Sequence, residues 1–116
     1  LEESILSVIN QTYNNVEYII IDGGSTDGTL EIIKKYSSEI DYWISEKDSG
    51  VYYAWNKALK LSQGQWIGFL GADDFYELNA IQNYIENIDL LSDVEFISSQ
   101  SYLITKEKKT IRIIFG

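Results

Sequence analysis

At 116 residues, 45% of them hydrophobic and 23% charged, the chain has the size and make-up of one folded domain (1–116) with a core of its own. It holds no Cys and no His, which excludes disulfides, thiolate nucleophiles, Ser-His-Asp catalysis and sulfur- or imidazole-bound metals; carboxylate, Lys, Tyr and hydroxyl chemistry remain, with hard oxygen-bound cations. Eighteen acids against nine bases give a net charge of −9, which repels a phosphate backbone, so nucleic acid is not an expected partner.

Leu1 to Thr12 carries Leu1, Ile5, Val8 and Ile9 at helical spacing. Val16 to Ile21 is a β-branched and aromatic run of the kind that suits a buried parallel strand, and it stops at Asp22-Gly23-Gly24. Ser25-Thr26-Asp27 offers capping chemistry for a helix over Thr29 to Tyr36, with Leu30, Ile33 and Tyr36 on one face. Asp41 to Ser45 reads as a second strand. Val51 to Ser62 reads as a helix whose apolar set is Val51, Ala54, Trp55, Ala58, Leu59 and Leu61, closed by Gln63-Gly64. Trp66 to Leu70 is expected as a third strand, broken by Gly71-Ala72-Asp73-Asp74. A helix follows over Glu77 to Ile88 with Leu78, Ile81, Ile85 and Ile88 inward. Val94 to Thr105 and Lys109 to Phe115 then read as an antiparallel strand pair joined at Lys106-Glu107-Lys108. Strands alternating with helices imply an α/β fold with a mostly parallel sheet.

In open α/β sheets ligands bind beyond the carboxyl ends of the strands, and three acid-bearing turns fall at such ends. They are Asp22-Gly23-Gly24-Ser25, Glu46-Lys47-Asp48-Ser49-Gly50 and Asp73-Asp74. Neighbouring strands would bring all three to one edge. Each turn also has a plain reading: Asp22 as a local turn cap, Asp27 as an acid at a helix N-terminus, Asp73-Asp74 as a capping turn. Against that, a glycine pair before a helix lets a nucleotide approach closely, and adjacent carboxylates call for a cation. Tyr52, Tyr53 and Trp55 form either an aromatic wall for a sugar or base, or part of the core.

The runs from Ile5 to Tyr13, Glu17 to Thr29, Ser45 to Ala58 and Gly64 to Asp74 together resemble the family 2 glycosyltransferases of the GT-A fold. The likeness is to bacterial enzymes of cell-surface polysaccharide assembly. It implies transfer of a sugar from a nucleotide-diphospho-sugar donor to a hydroxyl on a glycan or lipid-linked acceptor, with inversion and with Mn2+ or Mg2+. By position it assigns Asp22, Gly23, Gly24, Asp48 and Asp73 to the donor site, and Asp73 with Asp74 to the metal. It also implies a cytoplasmic location, peripheral to the inner membrane face. The chain departs from the family pattern at Gly23, where many members have Asp, at Gly71, which replaces the first acid of the DXD motif, and at Tyr53.

The opening Leu1-Glu2-Glu3 without Met, and the stop at Gly116 after a strand-like run, lead us to expect a fragment. The resemblance puts the family's first strand before Leu1 and the catalytic base beyond Gly116, so no base is assigned here; Glu95 or Glu107 would be guesses. A strand edge left unpaired implies self-association. A second reading keeps the fold as a non-catalytic nucleotide- or sugar-binding module. A third, a cation-binding domain of receiver type, lacks the Lys such a site needs.

Overall fold

The computed structural model describes residues 1–91, 93–104 and 110–115. The chain divides into two compact units, Leu1–Gln82 and Asn83–Gly116.

In the first unit, helix α1 (Glu2–Ile9) opens with Glu2 and Glu3 in its first turn, where acids offset the helix dipole, and turns Ile5 and Val8 inward. Strand β1 (Ile19–Asp22) follows, then helix α2 (Thr29–Lys35), a short 3₁₀ turn at Ser37–Glu39 and strand β2 (Tyr42–Ser45). β1 and β2 pair in parallel, with Ile19 opposite Tyr42 and Asp22 opposite Ser45. A parallel pair needs a crossover, and α2 supplies it. Helix α3 (Val51–Leu61) packs against β1. Helix α4 (Ala80–Leu90) comes next. In the second unit β3 (Gln100–Ile104) and β4 (Thr110–Phe115) form the expected antiparallel pair, with an irregularity between Leu103 and Ile104. The α/β reading is therefore borne out. The turn at Lys106-Glu107-Lys108 lies outside the described residues.

The core is small. Ile5 and Ile33 are fully buried, and Val8 and Ile40 are nearly so. Burial of such a side chain contributes about 1.5–3 kcal/mol. Across the surface an exposed pair, Lys35 and Glu2 (2.6 Å), joins α2 to α1, and the Tyr36 hydroxyl donates to the same Glu2 oxygen (2.6 Å).

Four expectations need correction. Residues 66–70 form no strand: among the described residues the sheet that holds β1 contains only β1 and β2, so this apolar segment has no ladder partner. The apolar side chains of α3 are not core, since none of its residues is buried and Val51 and Leu59 are exposed. Helix α3 ends not at a left-handed Gly64 but at Ser62, which turns extended (φ −68°, ψ 142°) while the Gln63 amide donates to Glu17 (2.8 Å). Leu78 is also exposed, whereas Ile81, Ile85 and Ile88 are half-buried.

Candidate functional site

The parallel register of β1 and β2 brings two of the three acid-bearing turns together. Asp22 ends β1 and is buried, 8% exposed. Its Oδ2 accepts from the amides of Gly24 (3.2 Å) and Ser25 (2.9 Å) and from the Ser45 hydroxyl (2.6 Å); its Oδ1 accepts from the Ser25 hydroxyl (2.5 Å). Burial pushes this carboxyl upward in pKa, but the Ser25 and Ser45 hydroxyls and the two amides outweigh it, so it titrates below the ordinary aspartate range. Asp22 thus acts as the organiser of its own turn. Ser45, absent from the sequence candidates, is an essential part: it is the polar residue closing β2 at the level of Asp22.

Two glycines let the turns touch. Gly24 has φ +86°, and a Cβ there would lie 3.2 Å from the Lys47 amide nitrogen, backbone that cannot step aside. Gly23 faces Asp48: a Cβ there would lie 3.3 Å from Oδ1 and 3.5 Å from Oδ2. Asp48 Oδ1 accepts from the Gly50 amide (3.0 Å), while its Oδ2 is buried and has no hydrogen-bond partner. A buried acceptor left unpaired costs about 1–3 kcal/mol, so the loop holds a carboxylate oxygen in need of a donor. The loop is tied from the other side by Lys57 of α3, 2.7 Å from Glu46.

The third turn is built on α1. Asp73 and Asp74 are exposed, the Asp74 amide donates to Gly71 (3.1 Å), and the Asp74 carboxylate folds back so closely that a Cβ on Gly71 would stand 2.7 Å from Oδ2. The space a side chain at 71 would use is filled by Asp74. The ladder that joins the first two turns does not extend to the third, and among the described residues no group of three or more acids gathers to hold a metal ion. The reason lies in the sheet, since residues 66–70 are not laddered beside β1. Asp73 and Asp74 are exposed and supply oxygen donors of the type that a Mg2+- or Mn2+-like cation takes, such a cation commonly being held by one or two carboxylates with waters and substrate phosphates completing its shell.

Asp27 takes its plain reading, accepting from the Thr29 hydroxyl (2.6 Å) and amide (3.3 Å) ahead of α2. Trp55 is not core either: it stacks on Phe69 (4.6 Å between centroids, 28° between planes) and meets Tyr52 edge-on at 5.5 Å. Tyr52 and Tyr53 are both exposed.

This arrangement of strand-end acids and bare glycines coincides with a sequence match over nearly the whole chain. The sequence pattern of glycosyl transferase family 2 covers residues 1–110. The chain belongs to that family. Among its relatives, an Escherichia coli protein named UDP-Glc:alpha-D-GlcNAc-diphosphoundecaprenol beta-1,3-glucosyltransferase WfaP is 36% identical over 105 residues, 90% of this chain and 41% of the relative. The Bacillus subtilis (strain 168) protein named for teichuronic acid biosynthesis, the glycosyltransferase TuaG, is 37% identical over 90 residues, 74% of this chain and 35% of its own. Glycosyltransferase GlyA of Streptococcus pneumoniae serotype 4 is 34% identical over 91 residues, 76% of this chain and 12% of its own length. The chain therefore spans less than half the length of these curated family members. No solved structure matches it. Among the described residues of this family member, no helix is long and apolar enough to cross a membrane.

Proposed function

We propose that the chain forms the donor-binding part of a glycosyltransferase that moves a sugar from a nucleotide-diphospho-sugar to a hydroxyl of a glycan or lipid-linked acceptor, with inversion, in bacterial cell-surface polysaccharide assembly. The observation that carries this reading is the buried, unpartnered Oδ2 of Asp48 above the bare Gly23, beside the ordered Asp22 turn. An acceptor already stripped of water binds an N–H or O–H of a nucleoside more strongly than an exposed one, because its desolvation has been met in folding. Gly23 and Gly24 let the Asp22 turn close against the loop that carries Asp48.

In this reading Asp22 does not touch the donor itself; it holds the amides of Gly24 and Ser25 and the β2 end in place. Asp73 and Asp74 would hold Mn2+ or Mg2+. The metal, when bound, offsets the negative charge that grows on the leaving diphosphate. The acceptor oxygen attacks the anomeric carbon as the bond to the diphosphate breaks, and the acceptor proton passes to a base, a group to which no residue of this chain is assigned. The site lies in the cytoplasm, where the donor is made, at or near the membrane face.

The test is transfer or donor hydrolysis by the full-length protein with and without Mn2+. Turnover that depends on the metal and is lost in Asp73→Asn supports the reading. A protein that binds nucleotide and never turns it over belongs to the binding-module reading, which the departures at Gly23 and Gly71 favour.

A further inference from the structure

The segment from Gly71 to Asn79 carries Asp73 and Asp74 yet belongs to no helix or strand, and both acids are exposed. Its hydrogen bonds lead to α1 and to the residue pair just past that helix.

Gln11 is 6% exposed and uses its side-chain amide fully. Its Nε2 donates to the carbonyls of Ser7 (2.9 Å) and Glu77 (2.7 Å), and its Oε1 accepts from the Ile81 amide (3.0 Å). Ile81 lies in the first turn of α4, where amides lack partners within the helix, so Gln11 caps that helix from a distance of seventy positions in sequence. Beside it the Thr12 amide donates to Leu78 (3.1 Å). One helical turn earlier, the Ser7 hydroxyl donates to Ser4 (2.7 Å) and accepts from the Tyr76 amide (3.1 Å), and the buried Ser4 donates to the Gly71 carbonyl (3.4 Å). Gly71, Tyr76, Glu77, Leu78 and Ile81 are thus each fastened to one polar stripe, on both sides of the two acids.

We propose that Gln11, with Ser4 and Ser7, is a positioning residue that sets the geometry of the Asp73–Asp74 turn. Its bearing on donor binding rests on the metal reading above; its hold on the turn does not. Loss of the Gln11 amide strands the Glu77 carbonyl and the Ile81 amide, both of which must find water, and the exit of the turn then moves with them. Groups of this kind behind metal ligands change metal affinity without touching the ion.

The experiment compares the full-length protein with Gln11→Ala, Val8→Ala and Asp73→Asn. Mn2+ uptake is read from the signal of free Mn2+ in electron paramagnetic resonance, with UDP, GDP or dTDP present, and exchange of the Asp74 amide is read by NMR. Val8→Ala removes a buried methyl pair from the same helix and serves as the comparison for lost stability alone. Gln11→Ala is expected to weaken Mn2+ uptake by about 10-fold or more and to speed exchange at Asp74, while Val8→Ala changes neither. If Gln11→Ala does not fold, Gln11→Glu, of the same shape but without donors at neutral pH, is read in the same way. Uptake and Asp74 exchange as in the wild type, or equal losses in Val8→Ala, overturn the proposal. If Asp73→Asn takes up Mn2+ unchanged, the metal reading falls, and Asp74 exchange alone then decides: faster in Gln11→Ala than in Val8→Ala upholds the clamp, equal rates overturn it.

Discussion

Asp48 rests its carboxylate over the bare backbone of Gly23, with a Cβ on that glycine placed 3.3 Å from Oδ1. The two residues sit on separate turns, brought together because Asp22 and Ser45 are partners in the parallel ladder. Gly23→Ala needs the carboxylate to yield by a few tenths of an ångström, so the fold is expected to survive with nucleotide binding weakened. Gly23→Asp sets one carboxylate against another, at a cost of about 1–4 kcal/mol at such a separation near a protein surface. Thermal melts and calorimetric titration with nucleoside diphosphates check both, and a Gly23→Asp protein that binds as tightly as wild type would show that the space over Gly23 is not part of the site.

Asp22 should govern acid sensitivity. Its folded pKa is depressed, so its contribution to stability is complete above the unfolded value of about 4 and is lost as pH falls through the folded value. Asp22→Asn keeps one acceptor oxygen and loses charge-assisted bonds. It is expected to destabilise by about 1–3 kcal/mol at pH 7, with a smaller effect below pH 4, as measured by urea unfolding across that range.

Tyr18 offers the opposite sign. Burial pushes its hydroxyl up to about 12, so unfolded chains release this proton before folded ones do. Stability tied to it is complete below about pH 10 and falls as pH rises toward 12. In a spectrophotometric titration of the tyrosines, Tyr18 should titrate late, and Tyr18→Phe should remove that late step.

The smallness of the core makes a further contrast. Ile33→Ala is expected to cost about 2–5 kcal/mol, because the side chain is fully buried. Leu78→Ala, at 62% exposure, should stay within about 0.5 kcal/mol of wild type in the same denaturant series.

The contrast also shows what a sequence can and cannot display. Ile5 and Val8 on α1, the β-branched run ending at Asp22, and the helix after Gly28 were all legible, because period and capping chemistry are local properties. Whether an apolar face is covered is not local. Trp66 to Leu70 has strand composition but no ladder partner among the described residues, and α3 has a helical apolar stripe that is covered only in part, with Ala54 and Ala58 half-buried and none of its residues fully so. The same gap explains the site. The Asp22 and Asp48 turns meet because two strands pair, whereas Asp73 and Asp74 follow a segment without a ladder partner, and it is Tyr76 and Glu77 just beyond them that bond to Ser7 and Gln11. Nothing local marks Gln11, since two of its partners lie sixty-six and seventy positions away.

The central claim is a metal-assisted donor site, and calorimetry of the full-length protein against UDP, GDP and dTDP, each with and without Mn2+, tests it most directly. One of these nucleotides is expected to bind more tightly with Mn2+ present, with that gain lost in Asp73→Asn. Binding that ignores Mn2+, or no binding by any of the three, would contradict it.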